Sequence, residues 1–312
     1  MKTLLLIDAH SLIHRSFHAL PPLTTPEGKP IQAIYGLGSI FLKLWREDCP
    51  EYAAACFDRP EPTFRKERYE AYKAQRPRAP DELVAQIIEA RNFFDAFGIK
   101  TFEKAGYEAD DLIATLAEKF RKENNLQVVI LTGDLDTLQL VKDGEVAVRT
   151  FKKGISETIV YDEQAVRDRY GLTPAQLADY KALVGDASDN VKGVLGVGPK
   201  TAAELLKKYG TLERVYQSIG NEPKFKTKLE GTEAEAEFSK SLVLLERHVP
   251  IKIGLLEDLD DRIVIDPVDI GLAALSNRLG GGKPDLLAVQ IDFAHRLAFR
   301  ITMNVVSSLS FP

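Results

Sequence analysis

Tyr107-Glu108-Ala109-Asp110-Asp111 joins a predicted strand to a predicted helix and carries three carboxylates within four residues. The apolar positions that follow, 112, 113, 116, 117 and 120, have helical spacing, so the helix is predicted to begin at or near Asp110. Acidic residues are common at a helix N-terminus, because the peptide dipoles leave roughly half a positive charge there. This explanation suffices for an isolated pair, so a functional interpretation depends on what the chain places nearby.

Four apolar runs, at residues 3–7, 52–57, 99–102 and 127–131, are predicted to be strands. The first is continuous rather than alternating, which is typical of a strand buried on both faces of a parallel sheet. A helical pattern over residues 83–97, stopped by Gly98, lies between the second and third runs. Strands that alternate with helices indicate an α/β domain with a mostly parallel central sheet flanked by helices.

Acidic residues follow these strands, where the carboxyl ends of a parallel sheet form a crevice. Two unit charges about 4 Å apart repel by roughly 4 kcal/mol at an effective dielectric constant of 20, so a converging set does not serve stability. Either several of the acids are protonated or cations hold them, and carboxylate oxygens favour hard ions such as Mg²⁺ or Mn²⁺. The candidate set is Asp8, Asp58, Glu108, Asp110, Asp111, Asp134, Asp136, Asp186 and Asp189.

A basic segment with interleaved aromatic residues directly follows Asp58. Such a pattern suits single-stranded nucleic acid, because cations contact phosphates while rings stack on bases. A solvated, charged helix face explains the segment equally well when it is considered alone. The segment contains Arg59, Phe64, Arg65, Lys66, Arg68, Tyr69, Tyr72, Lys73, Arg76 and Arg78.

A glycine-rich stretch at residues 191–201 lies between two predicted helices. Thr173 and Gln176 form a predicted capping box before the first helix, and Pro199 opens the second. The glycines allow backbone N–H groups to approach a phosphate, which the positive end of a helix also favours. The alternative is an ordinary turn between helices. The candidate phosphate-binding residues are Gly196, Gly198, Lys200 and Thr201.

The composition excludes several classes of protein. No apolar run of the 312 residues is long enough to span a bilayer, and no signal peptide is evident, so we expect a cytoplasmic protein without membrane contact. The two cysteines have no metal-ligand neighbours and indicate a reducing compartment. The net charge of −5 argues against a generic nucleic-acid binder, although a local basic patch is compatible with it.

Taken together and in order, these motifs resemble the 5′-nuclease domain of bacterial DNA polymerase I, a domain of the flap endonuclease family. The matching motifs include Asp8-Ala9-His10, Phe57-Asp58, residues 107–111, residues 132–136 and residues 185–200. Phe64-Arg65 and the stretch 72–77 resemble the arch of that family. The resemblance covers about residues 3–250, and all nine acidic positions are filled.

The resemblance implies a PIN-like nuclease core with a helical arch and a helix–hairpin–helix DNA-binding module. The expected domains are a core over residues 1–185, which includes an arch at about 59–82, and a helix–hairpin–helix region over residues 186–255. A C-terminal segment, residues 256–312, matches no motif and has no assigned role.

The resemblance also implies an activity, structure-specific 5′→3′ exonuclease and flap endonuclease cleavage of DNA by two metal ions, for RNA primer removal and repair. It assigns Asp8, Asp58, Glu108 and Asp110 to one Mg²⁺, and Asp134, Asp136 and Asp189 to the second, with Asp111 and Asp186 supporting. Mn²⁺ is an expected substitute. Lys73 and Arg76 are expected at the scissile phosphate, whereas Arg15, Arg65, Arg68 and Tyr72 are expected to contact DNA.

Further partners follow from the same resemblance. A K⁺ ion is expected in the hairpin, held by backbone carbonyls and a DNA phosphate. The expected substrates are flapped, nicked or overhanging duplexes and RNA primer/DNA hybrids in the bacterial nucleoid. A DNA polymerase in cis or in trans is an expected partner, and the chain is expected to be a monomer.

Two other functions compete with this one. A single-strand ribonuclease of the PIN-like type would share the acidic sheet but lack the stretch Gly196-Val197-Gly198-Pro199-Lys200. A non-catalytic, structure-specific DNA-binding protein would need the hairpin and the arch but not the acids. Cleavage of a 5′-flap duplex, a single strand and an RNA, with Mg²⁺ or with EDTA, separates the three.

Overall fold

A computed structural model describes residues 1–221 and 223–259 of the chain. Its first part is built on a six-stranded sheet with the order β3-β2-β1-β4-β5-β6. Neighbouring strands are parallel except for the antiparallel pair β5 and β6. The strands are β1 (Lys2–Asp8), β2 (Tyr52–Phe57), β3 (Lys100–Glu103), β4 (Leu126–Leu131), β5 (Val146–Lys153) and β6 (Glu157–Tyr161).

The four predicted strands are confirmed to within about one residue at each end, and β1 and β2 are buried on both faces, whereas only Phe102 of β3 is buried. All six residues of β2 are buried, as are Leu4 to Asp8 of β1. The strands β5 and β6 were not predicted, and they extend the sheet beyond β4. Since β1 pairs with β2 on one side and with β4 on the other, the strand order reverses around β1 and opens a crevice at its carboxyl end.

Helices cover both faces of this sheet and continue into a second, helical part. Within the described residues, no helix is both long and apolar enough to span a bilayer. The helices are α1 (Ala9–Ala19), α2 (Gln32–Glu47), α3 (Phe64–Arg68), α4 (Asp81–Ala96), α5 (Ala109–Phe120), α6 (Glu163–Tyr170), α7 (Leu177–Val184), α8 (Pro199–Tyr209), α9 (Leu212–Gln217), α10 (Pro223–Leu229) and α11 (Glu233–Val243).

Two hydrophobic cores enclose the sheet. One contains the α5 residues Leu112, Ile113 and Leu116, which pack on alternate residues of β1, β2 and β4. The other lies on the opposite face, where α1, α2 and α4 pack on the remaining strand residues. This two-sided burial holds the carboxyl ends of β1, β2 and β4 in fixed relation to the N-termini of α1 and α5.

A third core belongs to the helical part and begins at Leu172. Here the helices α7 and α8 flank a short antiparallel hairpin formed by β7 (Gly185–Asp186) and β8 (Val191–Lys192). The predicted capping box of Thr173 and Gln176 is present, and Pro199 stands at the start of α8. Since α7 packs with this core, we propose that the second domain begins near residue 172 rather than 186.

The chain returns to the first core after α11. Leu245, Val249 and Leu259 are buried there, beside residues of α5. These residues therefore belong by packing to the first part of the fold, although the sequence placed most of them in the DNA-binding region. Most of the predicted C-terminal segment, from residue 260 onward, lies outside the described residues.

The predicted arch, residues 59–82, is helical only in its short α3 and in its last two residues, where α4 begins at Asp81. Residues 70–75 form turns, and Lys73 has a left-handed backbone with φ of 54°. The expectation of a continuous helical arch is thus wrong for the second half of this segment. Turn geometry, not helical spacing, determines where Lys73 and Arg76 point. We call residues 59–82 the arch segment.

Candidate active site

The crevice begins at the end of β1, where Asp8 caps the helix α1. One carboxylate oxygen accepts a hydrogen bond from the backbone N–H of Ser11 at 3.0 Å, as an N-cap residue does. The other accepts from the Thr132 hydroxyl, just beyond β4, at 2.6 Å. Two neighbouring strand ends therefore fix the orientation of this buried carboxylate.

Asp58 follows β2, and both its side chain and its backbone N–H form hydrogen bonds. Its side chain accepts from the backbone N–H of Ala109 at 2.7 Å, which joins it to the first turn of α5. Its backbone N–H donates to Nδ1 of His10 at 3.1 Å. Burial lowers the pKa of His10, which suits a neutral ring that accepts at Nδ1.

Glu108 caps the helix α5, which begins one residue before the predicted start. It forms a capping box with Asp111, each side chain accepting from the backbone N–H of the other. Its carboxylate faces the arch segment, where Lys73 Nζ lies 2.7 Å away, the Tyr72 hydroxyl 3.0 Å away and an Arg65 nitrogen 3.2 Å away. The arch segment therefore closes over this part of the crevice.

Asp134 and Asp136 lie on the turn after β4. The Asp134 side chain accepts from the backbone N–H of Asp136 at 3.0 Å, which sets their relative positions. Asp136 pairs with the ammonium group of Lys181 from α7, and Lys181 also contacts Asp186 at 2.6 Å. A lysine of the second domain thus bridges two candidate metal ligands.

Asp189 completes the site from the hairpin side. Its carboxylate accepts from Arg76 at 2.5 Å and lies 3.0 Å from the Tyr72 hydroxyl. Carboxylate oxygens of Asp136, Asp186 and Asp189 lie within 4.8 Å of one another. We call the eight acids that meet here the acidic cluster: Asp8, Asp58, Glu108, Asp110, Asp134, Asp136, Asp186 and Asp189.

The electrostatics of the acidic cluster show how strongly its charges oppose one another. Burial, together with the charges of neighbouring carboxylates, raises the pKa of Asp8 and of Asp136 from 3.8 to about 7. The same causes raise the pKa of Asp110 well above its ordinary value. At Asp186, the pairing with Lys181 outweighs burial and lowers the pKa.

This arrangement fits divalent cations. Asp110 has a buried carboxylate oxygen, Oδ1, without a hydrogen-bond partner in the described part of the chain. A buried acceptor that lacks a donor is costly, and a bound cation satisfies it. The donor set consists of carboxylates, which suits hard ions such as Mg²⁺ and Mn²⁺.

The hairpin between α7 and α8 presents its backbone to solvent. Gly196 has φ of 79°, a conformation that favours glycine, whereas Gly198 has φ of −95° and caps α8. Lys200 is exposed and Thr201 half-buried in the first turn of α8. An additional lysine reaches this hairpin from α10, since Lys228 Nζ donates to the Gly196 carbonyl at 2.9 Å.

Two family models match this chain. The N-terminal resolvase-like domain of 5′-3′ exonucleases matches residues 3–171, and the C-terminal SAM fold of 5′-3′ exonucleases matches residues 172–263. The chain belongs to the 5′-3′ exonuclease family. The two models meet where the third core of the structure begins.

Curated relatives of this 5′-3′ exonuclease family member agree with the assignment. The 5′-3′ exonuclease of Aquifex aeolicus is 41% identical over 255 residues, which are 81% of this chain and 85% of that protein. The DNA polymerase I of Caldicellulosiruptor bescii is 41% identical over 302 residues, 94% of this chain but 35% of the polymerase. The chain therefore spans about a third of the length of that polymerase.

Solved structures show the same fold at lower identity. A bacteriophage T5 flap endonuclease, in a pseudo-enzyme-product complex with DNA and metal ions, has a TM-score of 0.62 at 19% identity. It covers 95% of this chain, and the match includes 100% of the phage protein. A T5 5′-exonuclease with bound divalent zinc has a TM-score of 0.60 at 21% identity over the same 95% of this chain.

Two sequence assignments need correction in this member of the 5′-3′ exonuclease family. Asp111 is fully buried, and both its oxygens accept hydrogen bonds from Arg65 at 2.7 Å. Arg65 is itself only 1% exposed and donates further to the carbonyls of Leu242 and Leu244. Arg65 is therefore not a surface contact for DNA, and Asp111 is not placed to hold a metal ion.

The other predicted DNA contacts differ in exposure. Tyr72 is 3% exposed, so its ring has no open face for a base, and its hydroxyl instead lies 3.0 Å from a carboxylate oxygen of Glu108 and of Asp189. Arg68 is exposed at the end of α3. Arg15 lies over the Phe151 ring and donates to the Gly154 carbonyl, which anchors the β5–β6 connection to α1.

Two residues that position the acids were not predicted. Thr132 binds Asp8 and also accepts from the backbone N–H of Asp134, so a single hydroxyl relates two strand ends. Lys181 bridges Asp136 and Asp186. A signal for Lys181 exists in the sequence, since it lies five positions before Asp186, but a lysine there is also typical of an exposed helix face.

Proposed function

We propose that this 5′-3′ exonuclease family member hydrolyses DNA phosphodiesters near junctions between single strand and duplex, and that it approaches them from the 5′ single strand. The observation that carries the proposal is the meeting of the acidic cluster with two cations of the arch segment. Lys73 and Arg76 both lie against Asp189, at 3.7 and 2.5 Å. Carboxylates for divalent ions and cations for a phosphate thus share one crevice.

The residues that would hold two Mg²⁺ ions are those of the acidic cluster. We assign Asp8, Asp58, Glu108 and Asp110 to one ion, and Asp134, Asp136 and Asp189 to the other. Asp186 joins the second set, because its oxygens lie with those of Asp136 and Asp189. Bound divalent ions lower the pKa of an attacking water and stabilise the charge of a leaving oxygen.

The chain's own cations supply the remaining charge. Lys73 and Arg76 bind the non-bridging oxygens of the scissile phosphate, where a fixed positive charge stabilises the transition state. Their carboxylate partners, Glu108 and Asp189, are the same groups that we assign to the metal ions. Metal binding therefore competes for these carboxylates and frees both side chains for the phosphate.

The hairpin grips the duplex part of the substrate in this proposal. Exposed backbone around Gly196 and Gly198, together with the positive end of the eleven-residue helix α8, suits a DNA phosphate. The T5 flap endonuclease structure is a complex with DNA and metal ions, which supports the same substrate class for this chain.

The test compares a 5′-flap duplex, a single-stranded DNA and an RNA, each with Mg²⁺ and with EDTA. The expected result is Mg²⁺-dependent cleavage of the flap duplex near its junction. Binding without cleavage would instead support a structure-specific DNA-binding protein. Cleavage restricted to single-stranded RNA would support a PIN-like ribonuclease.

The biological setting belongs to the same proposal. Removal of RNA primers and repair of nicked duplexes would place the activity on the bacterial nucleoid, with a monomer acting beside a DNA polymerase in cis or in trans. The support is the high identity to DNA polymerase I of Caldicellulosiruptor bescii over most of this chain.

A further inference from the structure

A lysine side chain from α10 places a positive charge at the hairpin. Lys228 extends from α10, and its Nζ donates to the Gly196 carbonyl at 2.9 Å. Its methylene groups lie against the same glycine, since a Cβ built on Gly196 would be 3.7 Å from Cδ and Cε. The methylene groups of Lys228 therefore lie beside Gly196, and its ammonium group lies at the Gly196 carbonyl.

This lysine differs from its neighbours on α10. Lys224 pairs with Glu204 at 3.4 Å, and Lys226 pairs with Glu230 at 3.9 Å. In the part of the chain that the structure describes, no carboxylate lies within ion-pair distance of Lys228. Its charge is thus not neutralised internally, and it is exposed to solvent.

A monovalent ion does not fit beside this ammonium group. Lysine carries a compact charge with three N–H donors, so one bond to Gly196 leaves two donors for a phosphate. A K⁺ ion on the same carbonyl would lie next to it, and two unit charges about 4 Å apart repel by roughly 1 to 4 kcal/mol. The K⁺ expected from the resemblance therefore conflicts with the contact that the structure shows.

We propose that the Lys228 ammonium, rather than a bound K⁺ ion, joins the Gly196 carbonyl to a phosphate of duplex DNA. Binding through the hairpin is then independent of which monovalent cation is present. The inference rests on the proposed function, because it requires the hairpin to contact duplex DNA. It adds a phosphate-binding residue from α10, outside the glycine-rich stretch.

The experiment measures duplex binding by the full chain in KCl, NaCl and tetramethylammonium chloride at one ionic strength, with Ca²⁺ in place of Mg²⁺. The wild-type affinity is expected to be the same in all three salts. Lys228→Met should lose affinity by about tenfold in NaCl and tetramethylammonium chloride. It should recover part of this loss in KCl, because the vacated carbonyl becomes available to K⁺. Lys224→Met is the matched control and should respond equally to the three salts.

Three results would overturn the inference. They are a wild-type affinity that depends on K⁺, a Lys228→Met affinity equal to that of the wild type, and a Lys228→Met loss of equal size in all three salts. A Gly198→Val variant separates these from failure of the proposed function. If that variant binds duplex as the wild type does, the hairpin is not a phosphate site at all. If Gly198→Val binds weakly and one of the three results is also found, the hairpin is a phosphate site but the assignment of Lys228 is wrong.

Discussion

At the scale of single residues, the acidic cluster contains acids that can be removed without disturbing the fold and acids that cannot. Asp189 holds Arg76 and contacts Tyr72, so its loss would release the arch segment. Asp134 accepts one hydrogen bond, from the backbone N–H of its neighbour Asp136. Asp134 is therefore the better position at which to test the role of the cluster in cleavage.

Asp134→Ala should remove most of the cleavage of a 5′-flap duplex, by on the order of a hundredfold or more, because a candidate metal ligand is lost. Binding of the same DNA in Ca²⁺ should be retained, since one repulsive charge facing the phosphates is gone. Single-turnover rates and binding isotherms measure the two effects. Asp95→Ala, an exposed acid on α4, is the control and should leave both unchanged. Near wild-type cleavage by Asp134→Ala at saturating Mg²⁺ would contradict the metal assignment.

Arg65 provides the second test at this scale, because it forms a buried ion pair with Asp111. Arg65→Met leaves that carboxylate buried without its partner and should lower the free energy of unfolding by about 3–5 kcal/mol. Urea denaturation measures the change. Arg68→Met, three residues away and exposed, should change stability by less than about 0.5 kcal/mol. A stable Arg65→Met protein with weakened DNA binding would restore the original prediction of a DNA contact.

The burial of Arg65 and Tyr72 could not be predicted from the sequence. Arg65 and Tyr72 lie in a stretch with as many charges as an exposed helix, and the partners of Arg65 lie 43 to 179 positions away. The acids at Asp8, Asp58, Asp134 and Asp136 were predictable, since they follow apolar strand runs whose ends are evident in the sequence. Thr132 also binds Asp8, 124 positions away, and Lys181 also binds Asp136, 45 positions away, so their positioning roles were not evident from the local sequence.

At the scale of elements, the arch segment directs two basic side chains at the acidic cluster. Lys73→Ala and Arg76→Ala should lower the single-turnover rate at saturating enzyme by roughly tenfold to a thousandfold, because each removes charge from the transition state. Arg68→Ala should instead weaken binding and lower the slope of log affinity against log salt by about 0.9. Flap cleavage and salt titrations in Ca²⁺ distinguish the two patterns. Wild-type rates for both Lys73→Ala and Arg76→Ala at saturation would show that the segment is only an electrostatic guide.

The hairpin allows an equally specific prediction. A Cβ added at Gly198 meets no atom within 4 Å, and the φ of −95° suits any residue, so Gly198→Val should fold normally. Its effect should be a several-fold loss of duplex affinity, since the side chain occupies the space next to the backbone N–H groups. Binding to a blunt duplex measures it, and thermal unfolding confirms that the fold is intact.

Helices and strands were predictable where the apolar residues followed a single pattern, either a continuous run or helical spacing. The parallel strands and the helices α4 and α5 have continuous apolar runs or clear helical spacing, with Gly98 and Glu108 near their ends. The strands β5 and β6 escaped prediction. In β6, Ile159 and Val160 are exposed rather than packed in the core, so its apolar residues do not follow the pattern of a half-buried strand.

At the scale of the whole molecule, the acidic cluster links stability to pH. Between about pH 4 and 7 the folded protein binds protons at Asp8 and Asp136 that the unfolded chain has released, since burial and neighbouring charges raise both pKa values from 3.8 to about 7. The free energy of unfolding contributed by these groups is therefore largest at the low end of this range and falls as the pH rises through about 7.

We expect the free energy of unfolding in EDTA to decrease from about pH 5 to pH 7, by about 1.4 kcal/mol per pH unit for each extra proton bound. Millimolar Mg²⁺ should reverse the decrease, because divalent ions bind the deprotonated carboxylates of the folded state. Urea denaturation at several pH values, with EDTA and with Mg²⁺, measures both effects. A stability in EDTA that rises over the same range would contradict the assignment.

The contacts of Arg65 have a consequence for the time course of synthesis. A ribosome delivers the acids at residues 8–136 long before Leu242 and Leu244, whose carbonyls complete the surroundings of Arg65. The returning residues Leu245, Val249 and Leu259, which fill the first core, emerge later still. The nascent chain therefore carries the acids before it can hold them rigidly. The packing around the acidic cluster is therefore complete only after residue 259 has been synthesised.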